Sequence, residues 1–151
     1  MTDRAKPLLE VGGQPLMTRI LRQVERAGAV ADGVVVANAR FHADFVTWSQ
    51  AVGARLPLTL VNDGATANEN RLGAVRDLAL ALDRAPTTFA PDGYLVLACD
   101  NLFDFDLGQL VERFTRTQQA QLVVREVPAP VPASKYSEVV LDGDRVVRFR
   151  E

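Results

Sequence analysis

An apolar run that ends on a carboxylate is the feature that most constrains the fold of this 151-residue chain. The residues from Tyr94 to Cys99 are all apolar or small, and Asp100 follows directly. Such a run is typical of a strand buried on both faces, as in a parallel sheet. Asp100 is then expected at a strand's carboxyl end, where open α/β sheets bind ligands and an acid can hold a metal ion against a phosphate. Aspartate is also a favoured turn residue, so a simple cap of the next turn is an equal alternative.

Composition places the chain among globular proteins of one ordinary domain, which we expect to span residues 1–151. A net charge of -2 gives no electrostatic case for nucleic acid as a partner. No apolar run approaches the roughly 20 residues that span a bilayer, so we expect no membrane association and a cytoplasmic protein. The single Cys99 excludes an internal disulfide and indicates a packing residue, and one histidine, His42, cannot build a histidine zinc site.

Short apolar runs alternate with segments of helical spacing along the chain, which predicts an α/β fold with a mainly parallel sheet. Expected strands cover 33–38, 58–61, 94–99 and 122–124. Expected helices cover about 15–27 and 107–118, with two more carrying core faces of Phe41, Phe45, Trp48 and Val52, and of Leu72, Val75, Leu78, Ala79 and Leu82. A hairpin is expected around Asp142-Gly143-Asp144.

Polar clusters follow several of these strands on the same side of the expected sheet, and the functional site is expected there. Asn62-Asp63-Gly64 ends one strand, and the residues from Asn68 to Arg71 precede a helix. The alternative for the second cluster is a capping region, because asparagine and glutamate near a helix start satisfy free N–H groups.

Several segments together carry a family likeness. Lys6 to Leu16 resembles the K-P-L-L-P-V-G-G-K-P-L segment of sugar-phosphate nucleotidylyltransferases, the group that includes glucose-1-phosphate thymidylyltransferase. The segments from Val61 to Gly64 and from Glu69 to Ala74 look like the base-binding turn and helix start of one branch of that family. Cys99 to Phe103 is similar to its G-D-N-L-F metal motif. Lys135 to Glu138, with Arg148 to Glu151, resembles its Y-G-V-V…F-E-E-K-P hairpin.

The resemblance implies a Rossmann-like, mainly parallel sheet flanked by helices, of the nucleotide-diphospho-sugar transferase type. It also implies that a sugar-1-phosphate attacks a nucleoside triphosphate, giving a nucleotide sugar and pyrophosphate, with Mg²⁺ as cofactor and a homo-oligomer as a possible assembly. The roles carried over are a metal ligand at Asp100, phosphate neutralisation at Lys6, base and ribose contacts at Asn62 and Gly73, and sugar contacts at Ser137 and Glu151.

The chain departs from the family pattern at both ends and at Ser137. Family members open with a strand and a glycine-rich loop, so we expect this first strand and loop to be missing, and the chain stops at Glu151 where the family continues. We therefore expect the chain as given to be inactive, and a truncated remnant that binds nucleotide weakly or serves as an interaction module is the alternative function. Glu151 is equally open to being a solvated terminus. A hydroxymethyl group at Ser137 in place of glycine leaves the sugar preference open.

Overall fold

The computed structural model describes residues 4–85, 92–127 and 137–150. The chain divides into two compact units, residues 1–117 and 118–151. The first unit contains a short 3₁₀ turn at Lys6–Leu8 and these elements: β1 (Glu10–Val11), β2 (Gln14–Pro15), α1 (Leu16–Ala27), β3 (Gly33–Ala37), α2 (His42–Ala51), β4 (Leu58–Asn62), α3 (Ala74–Arg84) and α4 (Leu107–Thr117). The second unit contains β5 (Glu138–Asp142) and β6 (Arg145–Arg150).

A tight hairpin leads into the first helix. β1 and β2 pair in antiparallel fashion, and Gly12 and Gly13 join them with φ values of 59° and 83°. Two consecutive positive φ values are the mark of a two-residue hairpin turn, for which glycine is the least strained residue. Arg19 of α1 donates to the carbonyl oxygens of Val11 at 2.6 Å and Gly12 at 2.9 Å, which fastens this turn to the helix.

The core lies between α1, α2 and a parallel pair of strands. β3 and β4 pair in parallel from Gly33 opposite Leu58 to Ala37 opposite Asn62. The Trp48 indole donates to the Thr18 hydroxyl at 2.9 Å, so the one buried indole N–H has a partner. The central cluster consists of Ala5, Leu8, Met17, Leu21, Val35, Ala37, Phe45 and Trp48. The predicted helix α1, strands β3 and β4, and the core face of α2 are therefore confirmed.

The prediction that the segment 94–99 is a strand buried on both faces is wrong, both for its strand pairing and for its burial. The segment forms no strand pairing with any residue that the structure describes, and Tyr94 and Val96 are 63% and 62% exposed. Alternate residues, including Leu95, Leu97 and Cys99, are half-buried. A strand becomes buried on both faces only when neighbouring strands and helices cover it, and the described part of the chain supplies no such neighbour.

The prediction of which side chains of α3 face the core is also wrong. Val75 is 82% exposed, and the least exposed side chains of the helix are Asp77, Leu80 and Ala81. α3 packs on β3, which belongs to a sheet of two strands, roughly 10 Å across, among the residues described. So narrow a sheet does not cover a full helix face, and the apolar stripe of α3 is exposed to solvent. That stripe consists of Val75, Leu78, Ala79 and Leu82.

The second unit is an antiparallel hairpin. β5 and β6 pair from Glu138 opposite Arg150 to Asp142 opposite Arg145, which confirms the hairpin predicted around Gly143. The strand expected over 122–124 does not form, and its three side chains are about half exposed, with no strand paired to them in the part of the chain that the structure describes.

The α/β class is confirmed, whereas a mainly parallel sheet is not found in the described residues. One of the three two-stranded sheets there is parallel, and the segments 94–99 and 122–124 form no strand among the described residues. The fold is a mixed α/β arrangement with a small parallel sheet and four helices among the residues described. None of these helices is long and apolar enough to cross a membrane.

Candidate functional site

Two side chains shape the turn at the carboxyl end of β4. The Asn62 side-chain oxygen accepts the Gly64 N–H at 2.8 Å, and the Asp63 carboxylate accepts the Ala65 N–H at 2.7 Å. These are consecutive turns of the kind that asparagine and aspartate favour. Because the Asn62 oxygen is committed to its own backbone and the residue is exposed, its side-chain NH₂ group is the part that can reach a ligand.

The ends of β3 and β4 are held together by backbone hydrogen bonds. The Asp63 N–H donates to the Ala37 oxygen at 3.0 Å, and the Ala39 N–H donates to the Ala65 oxygen at 2.9 Å. Ala65 is almost fully buried, so the turn after β4 rests on the unit rather than projecting from it. This fixed polar rim at the carboxyl ends of two parallel strands is where the sequence predicts a site.

The loop that follows is closed by Asn70. Its side-chain oxygen accepts the N–H groups of Thr66 at 3.1 Å and Ala67 at 3.0 Å. These N–H groups belong to the loop and not to the helix, so the expected capping of the helix start is not found among the described residues, and α3 receives no side-chain cap at its N-cap residue. The first N–H groups of α3 are consequently left without a side-chain acceptor.

Gly73 starts α3 with φ 84° and ψ 158°, a conformation that is essentially restricted to glycine. A Cβ atom added there would meet no atom within 4 Å. The glycine is therefore required by the backbone angles and not by close packing. The space in front of the uncapped helix start is open, which is compatible with the predicted ribose and base contact.

Asp77 is a site feature that the sequence interpretation did not identify. One of its carboxylate oxygens is buried and has no hydrogen-bond partner among the described residues. Burial raises the pKa of Asp77, and the nearby charge of Asp63 raises it further. An acid on the inner side of α3, beside a second acid at the end of β4, is a relationship that only the folded chain reveals.

Asp100 lies in a turn that follows the segment 94–99 and is exposed. The Asn101 N–H donates to the Ala98 oxygen at 3.3 Å, closing that turn. Cys99 packs against the core cluster, and burial raises the pKa of its thiol, with Asp100 adding to the shift. The expectation that Cys99 is a packing residue and not a nucleophile agrees with this environment.

The remaining predicted site residues are placed as follows. Lys6 is exposed in the 3₁₀ turn before β1, and Ser137 is exposed just before β5 in the second unit. Lys135, Tyr136 and Glu151 lie outside the described residues. In the first unit, Asn62 and Gly73 border the same connection between β4 and α3. Across the described residues of that unit, no hydrogen bond or ion pair joins Lys6 or Asp100 to that connection.

Asp100 is the metal ligand that the family resemblance implies. Within the described ranges, no group of three or more histidine, cysteine, aspartate or glutamate residues could hold a metal ion. Mg²⁺ is commonly bound by only one or two carboxylates, with waters and substrate phosphates as the other ligands. The exposed oxygens of Asp100 fit that requirement, whereas they do not fit a metal held by protein alone.

A family model described as the MobA-like NTP transferase domain matches residues 1–141. No curated protein and no solved structure matches the chain. The matched range includes the turn after β4, the start of α3, Lys6 and Asp100.

Proposed function

The chain belongs to the MobA-like NTP transferase family, and on that premise we propose that it transfers a nucleotidyl group from a nucleoside triphosphate to a sugar-1-phosphate. The family supports nucleotidyl transfer in general. The sugar-1-phosphate is our proposal, and it rests on the motif resemblance of the segments around Lys6 and Asp100.

The observation that carries the nucleotide part is the start of α3 beside the end of β4. Gly73 leaves open space, α3 lacks a side-chain cap, and the Asn62 NH₂ group is exposed. Free N–H groups and the positive end of a helix dipole favour oxygen atoms of a ligand. We assign the ribose and base of the triphosphate to this position.

The reaction requires alignment and charge neutralisation more than a strong base. An ionised oxygen of the sugar phosphate forms a bond to the α-phosphorus, the bond from that phosphorus to the bridging oxygen breaks, and pyrophosphate leaves with the electron pair. No proton has to be removed from the attacking oxygen. The Lys6 ammonium group would offset phosphate charge, and Asp100 would hold a divalent ion, Mg²⁺ in our proposal, that when bound neutralises charge on the phosphates.

Pyrophosphate release by the purified chain decides between this function and the inactive remnant that the sequence leads us to expect. Each of the common nucleoside triphosphates is combined with a panel of sugar-1-phosphates, with Mg²⁺ present. Asp100→Asn should abolish release, because the substitution removes the charge that holds the ion and leaves the side-chain size unchanged. Asp104→Asn is the matched control, since Asp104 is an exposed acid of the same segment, and it should retain activity. Equal activity in both variants would remove Asp100 from the mechanism.

A second candidate is nucleotide binding without transfer. It is favoured by the absence of any hydrogen bond or ion pair, across the described residues, that would join Asp100 to the β4–α3 connection. Calorimetric titration with nucleoside triphosphates separates the two candidates. Saturable nucleotide binding, without pyrophosphate release in the presence of any of the sugar-1-phosphates, would support the binding module. Pyrophosphate release would exclude it.

A further inference from the structure

The loop that carries Asp100 is fastened to α1 by one side chain. The Gln23 side-chain N–H donates to the Phe103 carbonyl oxygen at 3.2 Å, across 80 positions of the sequence, and both residues are half-buried. The other hydrogen bonds of residues 100–106 that the structure describes join positions at most three apart in the chain. Gln23 is therefore the side chain that ties this loop to a distant element.

The bond lies in the middle of a loop whose two ends are packed. Cys99 contacts the core cluster, and Leu107, the first residue of α4, is only 2% exposed. The residues between them form no helix or strand. The Phe103 and Phe105 rings stack with their centroids 4.8 Å apart. Because Phe103 is held both at its carbonyl oxygen and at its ring, the unheld stretch beside Cys99 shortens to residues 100–102.

The length of that stretch matters for metal binding. Ordering a free backbone costs conformational entropy, and a loop that is already held loses less of it when a ligand binds. Asp100 is exposed and would supply one carboxylate to an ion whose other ligands are waters and phosphates. With so few protein ligands, the affinity for the ion depends on how well this carboxylate is held by groups outside the ligand set.

We propose that Gln23 is a positioning residue, whose hydrogen bond to Phe103 holds the loop in the conformation in which Asp100 binds a divalent ion. This inference rests on the metal role of Asp100 in the function proposed above. Coupling between two binding events is reciprocal, so the bond strengthens metal binding by the same factor by which the metal strengthens the bond. We expect a factor of about five, the lower end of the usual range, because Gln23 acts on Asp100 through the backbone.

A titration with Mn²⁺ alone, followed by NMR, tests the proposal. Mn²⁺ is paramagnetic and should broaden the amide signals of Asn101 and Leu102 when it binds at Asp100. Half-maximal broadening should require about fivefold more Mn²⁺ in Gln23→Met, which keeps a long unbranched side chain and removes the donor. Gln109→Met, at an exposed position on α4, is the matched control and should behave like the wild type. Wild-type Mn²⁺ affinity in Gln23→Met would overturn the proposal.

Asp100→Asn separates a failure of this inference from a failure of the proposed function. The variant should lose the broadening of the two amide signals. If it broadens like the wild type, Asp100 is not the metal ligand, and its metal role falls together with this inference. If Asp100→Asn loses the broadening while Gln23→Met keeps the wild-type affinity, only the positioning role of Gln23 falls.

A measurement on the wild type tests the same coupling without any substitution. Saturating Mg²⁺ should slow the solvent exchange of the Gln23 side-chain amide protons by about the same fivefold factor, since a metal-bound loop keeps the Phe103 oxygen in place. The exposed side-chain amide of Gln109 should not change. Exchange at Gln23 that is independent of Mg²⁺ would overturn the proposal, and this measurement decides if Gln23→Met does not fold.

Discussion

The Glu25 carboxylate accepts the backbone N–H of Arg55 at 2.6 Å, which joins α1 to the loop between α2 and β4. Its other oxygen accepts the Arg22 guanidinium at 2.7 Å. Arg22 in turn donates to the Val52 oxygen at 2.6 Å and to the Gly53 oxygen at 3.2 Å. The Glu25 side chain is only 3% exposed, whereas that of Arg22 is 39% exposed, so this network fastens the end of α2 to α1 at the surface of the unit.

Glu25→Gln should lower the free energy of unfolding by about 1–2 kcal/mol at neutral pH, because the amide keeps an acceptor for Arg55 but loses the charge that faces Arg22. The Arg55 N–H, and then the Arg22 guanidinium, lower the pKa of Glu25. The stabilisation is therefore complete above the ordinary glutamate pKa and is lost as pH falls through the lower folded value.

Urea denaturation over a range of acidic pH values measures this effect. The difference between wild type and Glu25→Gln should shrink as the pH falls. Glu112→Gln, at an exposed position on α4, is the control and should leave stability unchanged. A difference of constant size at all pH values would show that the charge of Glu25 is not the stabilising element.

Asp77→Asn should raise the free energy of unfolding at neutral pH, by up to about 1 kcal/mol, because it removes a buried charge whose oxygen has no partner in the described chain. Burial, followed by the charge of Asp63, raises the pKa of Asp77. Wild-type stability should therefore decrease as pH rises from the ordinary aspartate pKa through the raised one.

Thermal unfolding of the wild type and of Asp77→Asn, at pH values below and above this range, checks the direction of the change. Asp83→Asn, at the exposed end of the same helix, should show little change; a loss of stability in Asp77→Asn would mean that the carboxylate has a partner.

Gly73→Ala should destabilise the chain by about 1–2 kcal/mol, since φ 84° with ψ 158° strains any residue that has a Cβ atom. Gly53→Ala is the comparison, because its φ of 60° lies in the small left-handed region that other residues can enter at a lower cost. Chemical denaturation of the two variants should rank Gly73→Ala as the less stable. If Gly73→Ala binds nucleotide as tightly as the wild type, the ribose does not approach the start of α3.

Lys6→Ala should lower kcat and kcat/KM together, by about 100-fold, if Lys6 stabilises charge chiefly in the transition state. Steady-state kinetics with a productive pair of substrates measures both constants. Arg4→Ala removes a neighbouring exposed cation and should have little effect. A rise in KM alone would assign Lys6 to ordinary substrate binding and not to catalysis.

The amides of segment 94–99 should exchange rapidly, because no strand pairs with them in the described chain. The Val35 amide faces β4 and should exchange slowly in the same NMR experiment. Strong protection across 94–99 in a monomeric sample would show that this segment joins the sheet in solution.

The elements that sequence patterns predicted well are those whose partners are local. α1 and α2 bury the faces that helical spacing indicated, and the glycine turn before α1 is fixed by its own φ angles. The segment 94–99 and α3 were predicted less well, because burial on both faces of a strand, or on one face of a helix, requires a layer supplied from elsewhere. Composition reveals the need for that layer but not its presence.

The residues of the candidate site differ in the same way in how well the sequence predicts their placement. Asn62 and Gly73 border one short connection, so their shared location follows from the order of β4 and α3. The sequence spacing of Asp63 and Asp77 does not indicate that they lie near each other, because their proximity depends on which face α3 turns toward β3. Placing Lys6 and Asp100 against a substrate likewise requires distances that motif order does not contain.

Cys99 gives the chain a built-in reporter. It is the single sulfhydryl in the sequence, it packs against the core cluster, and burial raises its pKa. Thiol reagents attack the thiolate, which this environment disfavours, and the half-buried side chain limits their access further. The rate at which an added reagent labels the native chain therefore measures how often the packing around Cys99 loosens, without any engineered tag.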